Sequence, residues 1–217
     1  DLDRDMAAPP GEAGRHPLPD RDDFAALLGS WGVTYETHLI AYDADAGAYA
    51  CRFWWLARWL GHDKVSVLDG GLAAWDDIGG PTDAEVAELE PSSYAPRRPL
   101  TRHLNADQIQ NGDHVLVDAR AQERFDGVKE PIDFKAGHIP GAVCRPFDGN
   151  LNAAGRFDSD SSRFDDLPDG DVVCYCGSGV TATHNIFAMC LAGLPEPALY
   201  PGSWSEWIRD PSRPTTP

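Results

Sequence analysis

Cys176 closes the apolar run Val172-Val173-Cys174-Tyr175 and opens the loop Gly177-Ser178-Gly179-Val180-Thr181-Ala182, where a helix is expected to start. A strand that delivers a sulfur to a glycine-containing turn surrounds it with unpaired N–H groups, those of the turn and of the next helix's first turn. Those donors and the helix dipole favour thiolate over thiol, which predicts a pKa below the free value of about 8.5. Many cysteines are small packing residues and nothing more. The flanking glycines and the strand-to-helix placement favour a functional reading of this one.

Three chemistries use such a cradle. A phosphate-binding loop ends in Gly-Lys-Ser/Thr, and this segment has no lysine. A cysteine phosphatase grips phosphoryl oxygens with an arginine at the place held here by Ala182. What remains is a thiolate ringed by amides, suited to carrying a neutral or singly charged sulfur as a persulfide. Cys174, Cys176, His184 and Cys190 could suggest a metal site, but a Cys-x-Cys running from strand into loop lacks the usual ligand spacing, so no metal is expected. Cys51, Cys144 and Cys190 read as inert packing residues.

The loop Cys176-Gly177-Ser178-Gly179-Val180-Thr181 resembles the active-site loop of the rhodanese superfamily, in particular its tandem-domain sulfurtransferases of the 3-mercaptopyruvate type. Val117-Asp118-Ala119-Arg120, Glu123-Arg124-Phe125, Gly137-His138-Ile139-Pro140-Gly141-Ala142 and Gly202-Ser203-Trp204-Ser205-Glu206-Trp207 agree with it. The resemblance implies an α/β fold of two tandem domains, each a mostly parallel sheet with helices on both faces. It implies that Cys176 carries sulfane sulfur and that Ser178 assists, with Gly177, Gly179, Val180 and Thr181 lining the substrate site and Arg124 gripping the substrate. Taken alone, Arg124 could also be a surface arginine on a helix. Many members carry a second arginine after Glu-Pro, where this chain has Ile132, so Lys135 or Arg145 is expected to substitute. His138 is expected to fix backbone in its turn rather than act as a base. No cofactor is implied. The partners implied are a small-molecule sulfur donor and an acceptor: thioredoxin, a low-molecular-weight thiol or cyanide. Members that take thiosulfate, a dianion, carry basic residues after the nucleophile, whereas Gly177 and Ser178 are neutral and suit mercaptopyruvate. The alternatives are a thiosulfate:cyanide sulfurtransferase and a non-catalytic rhodanese-like module that relays sulfur or binds a partner.

The chain repeats itself. In one ungapped register Gly47 falls on Gly179, Ala50 on Ala182, Gly61 on Gly193 and Trp75 on Trp207. Repetition of this length means two copies of one domain. Ala44 falls on Cys176 with Asp43 beside it, so the first copy lacks the nucleophile and is expected to be a scaffold. Thr101 to Arg145 has no counterpart in the first copy; Asp1 aligns near Pro146, and the first domain is expected to be N-terminally incomplete. The polar run from Gly79-Gly80-Pro81 to Pro99 reads as a connection. The expected boundaries are 1–90 for the partial non-catalytic domain, 91–100 for the linker and 101–217 for the catalytic domain.

Strands are expected at Val115-Leu116-Val117, near Ala142-Val143, at Val172 to Tyr175 and at Ala198-Leu199-Tyr200. Helices are expected over 106–110, 121–125, 181–191 and 205–209. The 217 residues are 42% hydrophobic and include seven tryptophans, which argues against disorder. A net charge of −17 opposes binding to nucleic-acid phosphates. Much of the acid, at Asp20, Asp22, Asp23, Asp83, Glu85, Glu88 and between Asp158 and Asp171, reads as solvated surface. No apolar run approaches the ~20 residues of a membrane span. Five cysteines do not resemble a secreted disulfide framework, so a cytoplasmic location is expected.

Overall fold

The computed structural model describes residues 1–44, 46–85 and 89–217, so Glu88 of the acidic surface lies outside the described residues. The first copy runs α1 (Leu2–Asp5), α2 (Arg21–Ser30), β1 (Leu39–Ala41), α3 (Ala48–Trp59), β2 (Val65–Val67) and α4 (Gly71–Asp77). The second runs α5 (Ala106–Asn111), β3 (His114–Asp118), α6 (Gln122–Phe125), β4 (Val143–Cys144), β5 (Asp171–Tyr175), α7 (Ala182–Leu191), β6 (Ala198–Leu199) and α8 (Ser203–Trp207). The expected strands and helices are all present, with ends moved by a residue or two.

The second copy's sheet has the order β4-β3-β5-β6, and every pair is parallel. Alternate residues of a strand face opposite sides, and both sides are covered here. Val117, Cys174 and Leu199 point to α7, where Ile186 and Met189 are buried. Leu116, Val173, Tyr175, Ala198 and Tyr200 point the other way, to Ile109 of α5 and to Trp204 and Trp207 of α8. This is why these strands read as continuous apolar runs rather than alternating ones. The segment without a counterpart in the first copy supplies α5, β3, α6 and β4. Among the described residues the first copy's sheet is the parallel pair β1-β2, and Ile40 within β1 and Tyr42 just after it are exposed.

The copies share one core. α3 lies against α7, with Trp54 edge-on to Phe187 at 5.1 Å between ring centroids. Trp54, Trp55 and Trp59 of α3 are all buried, and one apolar cluster runs from Phe24 and Leu28 of α2 through them to Cys174 and Leu199. A polar seam runs beside it: His184 reaches the Ala46 carbonyl through Nε2 at 2.9 Å, and its Nδ1 meets Asn150 at 2.9 Å. These contacts fix the β5–α7 loop against the first copy.

Candidate active site

β5 ends at Tyr175, and the chain turns through Cys176 to Thr181 into α7. Gly179 makes the turn with φ +77°, and a Cβ there would lie 2.2 Å from the Pro201 carbonyl oxygen, so only glycine fits. The Gly179 N–H donates to the Cys176 Sγ at 3.1 Å. Behind the loop, Ser203 sits at φ +54°, unusual for a residue with a side chain. Its hydroxyl accepts from the Cys176 amide at 3.1 Å and donates to the Tyr200 carbonyl at 2.9 Å, which locks the position of the cysteine.

Cys176 opens onto a cavity of about 320 Å³. Gly177, Ser178, Val180 and Thr181 line it, as does Arg124; Gly179, expected to line the substrate site, does not, and instead makes the turn and donates its amide to the Cys176 sulfur. Arg145 lies outside the lining. Its guanidinium donates to the carbonyls of Arg163 and Cys144 and pairs with Asp166. Lys135 is exposed and also outside the lining. His138 donates from Nδ1 to the Phe125 carbonyl at 2.8 Å and stacks on the Phe125 ring at 3.7 Å, holding backbone rather than facing the sulfur.

Arg124 is set by carboxylates. It donates to Glu130 at 2.8 to 3.1 Å and to Asp133 at 3.2 Å. Glu130 also meets Arg120 at 3.4 Å, and Arg120 is buried on Asp118 by several hydrogen bonds. The Asp118-Ala119-Arg120 motif is therefore the foundation on which Arg124 stands.

The first copy is more than a scaffold, which corrects the expectation from sequence. Leu2, Arg15, His16, Ala48 and Tyr49 form the other wall of the cavity. His16 Nδ1 lies 2.7 Å from the Ser178 hydroxyl, and its Nε2 lies 3.3 Å from Asp3. Burial holds the His16 imidazole below its ordinary pKa against the pull of Asp3, which leaves the ring neutral at pH 7. With the proton on Nε2 facing Asp3, Nδ1 accepts from the Ser178 O–H. Arg15 forms an ion pair with Asp133, the carboxylate that also holds Arg124. Arg52 of α3 is fully buried and donates to the carbonyl of Gly179 at 3.1 Å and to those of Met6 and His16 at 3.2 Å. Burial lowers its pKa to about 10, and attraction to the Cys176 sulfur opposes this, so it remains a cation. One signal for Arg52 was visible in sequence: it is a lone charge on an apolar turn of a tryptophan-rich helix.

The other four cysteines are free thiols outside the cavity. Burial pushes Cys51 and Cys174 well up, Cys144 to about 12 and Cys190 to about 11, so they stay protonated at neutral pH. Among the described residues no group of His, Cys, Asp and Glu could hold a metal ion, and no helix is long and apolar enough to cross a membrane.

The rhodanese-like domain family matches residues 7–78 and 101–210. The chain belongs to the rhodanese family. Within it, the chain is 47% identical to a probable 3-mercaptopyruvate sulfurtransferase of Pseudomonas aeruginosa, over 99% of this chain and 80% of that protein. It is 36% identical to the thiosulfate sulfurtransferase of Mus musculus, over 88% of this chain and 70% of that protein. Among solved structures, the 3-mercaptopyruvate sulfurtransferase of Leishmania major superposes with a TM-score of 0.84 at 31% identity, covering 97% of this chain and 63% of that one. The two matched stretches coincide with the two halves of the internal repeat, so this is a tandem rhodanese fold whose second half holds the cysteine.

Proposed function

We propose that this rhodanese transfers the sulfur of 3-mercaptopyruvate to a thiol or to cyanide through a persulfide on Cys176. The observation that carries the reading is a single cavity where the Cys176 sulfur meets an arginine and a serine joined to a neutral histidine. In the first half-reaction the Cys176 thiolate attacks the donor's sulfur, forming an S–S bond as the C–S bond breaks. The electron pair leaves on carbon as the enolate of pyruvate, and the sulfur keeps its proton as Cys–S–SH. As the enolate forms, the Ser178 hydroxyl turns from His16 to donate to the enolate oxygen, and a proton from the medium adds to carbon to form pyruvate. The loop amides, the Gly179 N–H first, stabilise the negative sulfur before and after transfer. Arg124 grips the donor's carboxylate. In the second half-reaction an acceptor thiolate attacks the outer sulfur and restores the Cys176 thiolate; thioredoxin, a low-molecular-weight thiol and cyanide all fit that step. We further propose the boundaries 1–90, 91–100 and 101–217, and, from the five unpaired cysteines, a cytoplasmic setting.

Steady-state rates with 3-mercaptopyruvate and with thiosulfate test the donor. A larger kcat/KM for mercaptopyruvate, with pyruvate formed one for one, is expected. Preference for thiosulfate would assign the donor named for the mouse relative instead.

A further inference from the structure

We propose that Arg52, carried by the first copy, is the counter-cation of the Cys176 thiolate and keeps that sulfur in its reactive, deprotonated form. This rests on Cys176 being the nucleophile, as proposed above. The Arg52 side chain is fully buried and lies outside the cavity, so it meets neither donor nor acceptor and acts through the sulfur alone, as a positioning residue. Its Nη1 donates to the Gly179 carbonyl at 3.1 Å, and the amide of that same glycine donates to Sγ at 3.1 Å. One residue therefore separates the guanidinium from the sulfur. The other acceptors of Arg52 are the carbonyls of Met6, His16 and Pro17, and among the described residues its buried Nε has none.

Carbonyl dipoles answer a buried cation only in part, and an anion nearby completes the match. The other cations facing the sulfur already have carboxylates: Arg15 pairs with Asp133, and Arg124 with Asp133 and Glu130. Of the remaining titratable groups around it, His16 is neutral, burial keeps Cys51, Cys174 and Tyr175 protonated, and Tyr49 is a phenol on the cavity wall. Packing alone does not ask for a charge at this place. In the register of the repeat Arg52 of α3 falls on His184 of α7, and each reaches across to the other copy's loop, His184 donating to the Ala46 carbonyl and Arg52 to that of Gly179. His184 does so as a neutral ring, beside a loop whose anion is the fixed carboxylate of Asp43. The full positive charge stands on the side where the anion is a sulfur that must first release its proton to the medium.

The test follows alkylation of Cys176 by neutral iodoacetamide across about pH 5 to 10, by intact mass, in the full chain and in its variants Arg52→Gln, Arg52→His and Arg52→Lys. The two neutral variants should reach half-maximal rate about one to two pH units higher, the worth of one charge at short range in an effective dielectric constant of about 20. Their plateau at high pH, which reports access to the sulfur rather than its charge, should be nearly unchanged. Arg52→Lys keeps the charge and loses the fork, so its midpoint should move by less than about half a pH unit. An unmoved midpoint in the neutral variants, or a rise in Arg52→Lys as large as theirs, overturns the proposal. So does failure of both neutral variants to fold, since His184 shows that the place accepts a neutral ring and the charge would then belong to stability. A parent alkylated first at another cysteine would remove the reading of Cys176 itself, and the proposal with it.

Discussion

In the loop before α3, the carboxylate of Asp43 accepts hydrogen bonds from the amides of Gly47, Tyr49 and Ala50 at 2.8, 2.9 and 2.8 Å. In the aligned loop before α7, the Gly179 amide, which corresponds to that of Gly47, donates to the Cys176 sulfur instead. Among the described residues no acidic side chain accepts from the second loop's amides. Both loops lead from a strand into a helix N-terminus that favours negative charge. The first supplies that charge permanently from its own side chain, whereas the second leaves the place to a sulfur that can react. Losing the nucleophile at Ala44 is therefore only half of the difference; the other half is an aspartate that fills the anion site.

The comparison can be broken most directly at the sulfur. Cys176→Ser should abolish turnover and the gain of one sulfur atom after donor treatment, because a hydroxyl is a poor nucleophile and holds no persulfide. Sulfur appearing on that variant, or on another cysteine of the parent, would contradict the assignment. Next comes the core that joins the loops. Trp55→Ala should cost about 3–5 kcal/mol in denaturant unfolding, since a fully buried tryptophan of α3 is removed from the shared cluster. A loss under about 1 kcal/mol would mean that the helix pair does not carry the junction.

The third prediction concerns acid. Burial lowers the His184 pKa to about 4, below its ordinary 6.5, and the ring is bonded to Ala46 of the first loop. Between these values the unfolded chain binds the proton and the folded chain does not, so stability falls as pH drops from about 6.5 to 4. The loss should reach roughly 2–4 kcal/mol. Unfolding midpoints across that range, compared with those of His184→Gln, isolate it; parallel profiles would remove His184 as the cause. The smallest effect belongs to the first loop. Asp43→Ala should cost about 1–3 kcal/mol by stripping the charged acceptor from three amides, and should leave kcat within about a factor of three. A large fall in kcat would show that the first loop takes part in the chemistry.

Much of this was legible in sequence. β3 and β5 announce themselves because a strand buried on both faces is apolar without alternation, as in Val115-Leu116-Val117 and Val172 to Tyr175. The reactive loop was legible because glycine, strand end and helix start fall together at Cys176. What was missed lies between the copies. Arg15 and His16 sit in a stretch with no strand or helix, and contact across more than a hundred residues leaves no local spacing to read. The one available hint was Ile132, where an absent cation implied a replacement; Arg15 lines the cavity, whereas Arg145 is engaged with Asp166.

Arg52 belongs to the first copy and reaches through to the Gly179 carbonyl, the same residue whose amide holds the Cys176 sulfur. A buried cation is costly, and among the described residues the Arg52 amino groups donate to carbonyls from both halves of the chain and to no carboxylate. The loop can therefore be completed only after the halves have docked. Catalytic competence arrives late in folding, so recovery of sulfur transfer during refolding should lag the recovery of helix and act as a clock for docking.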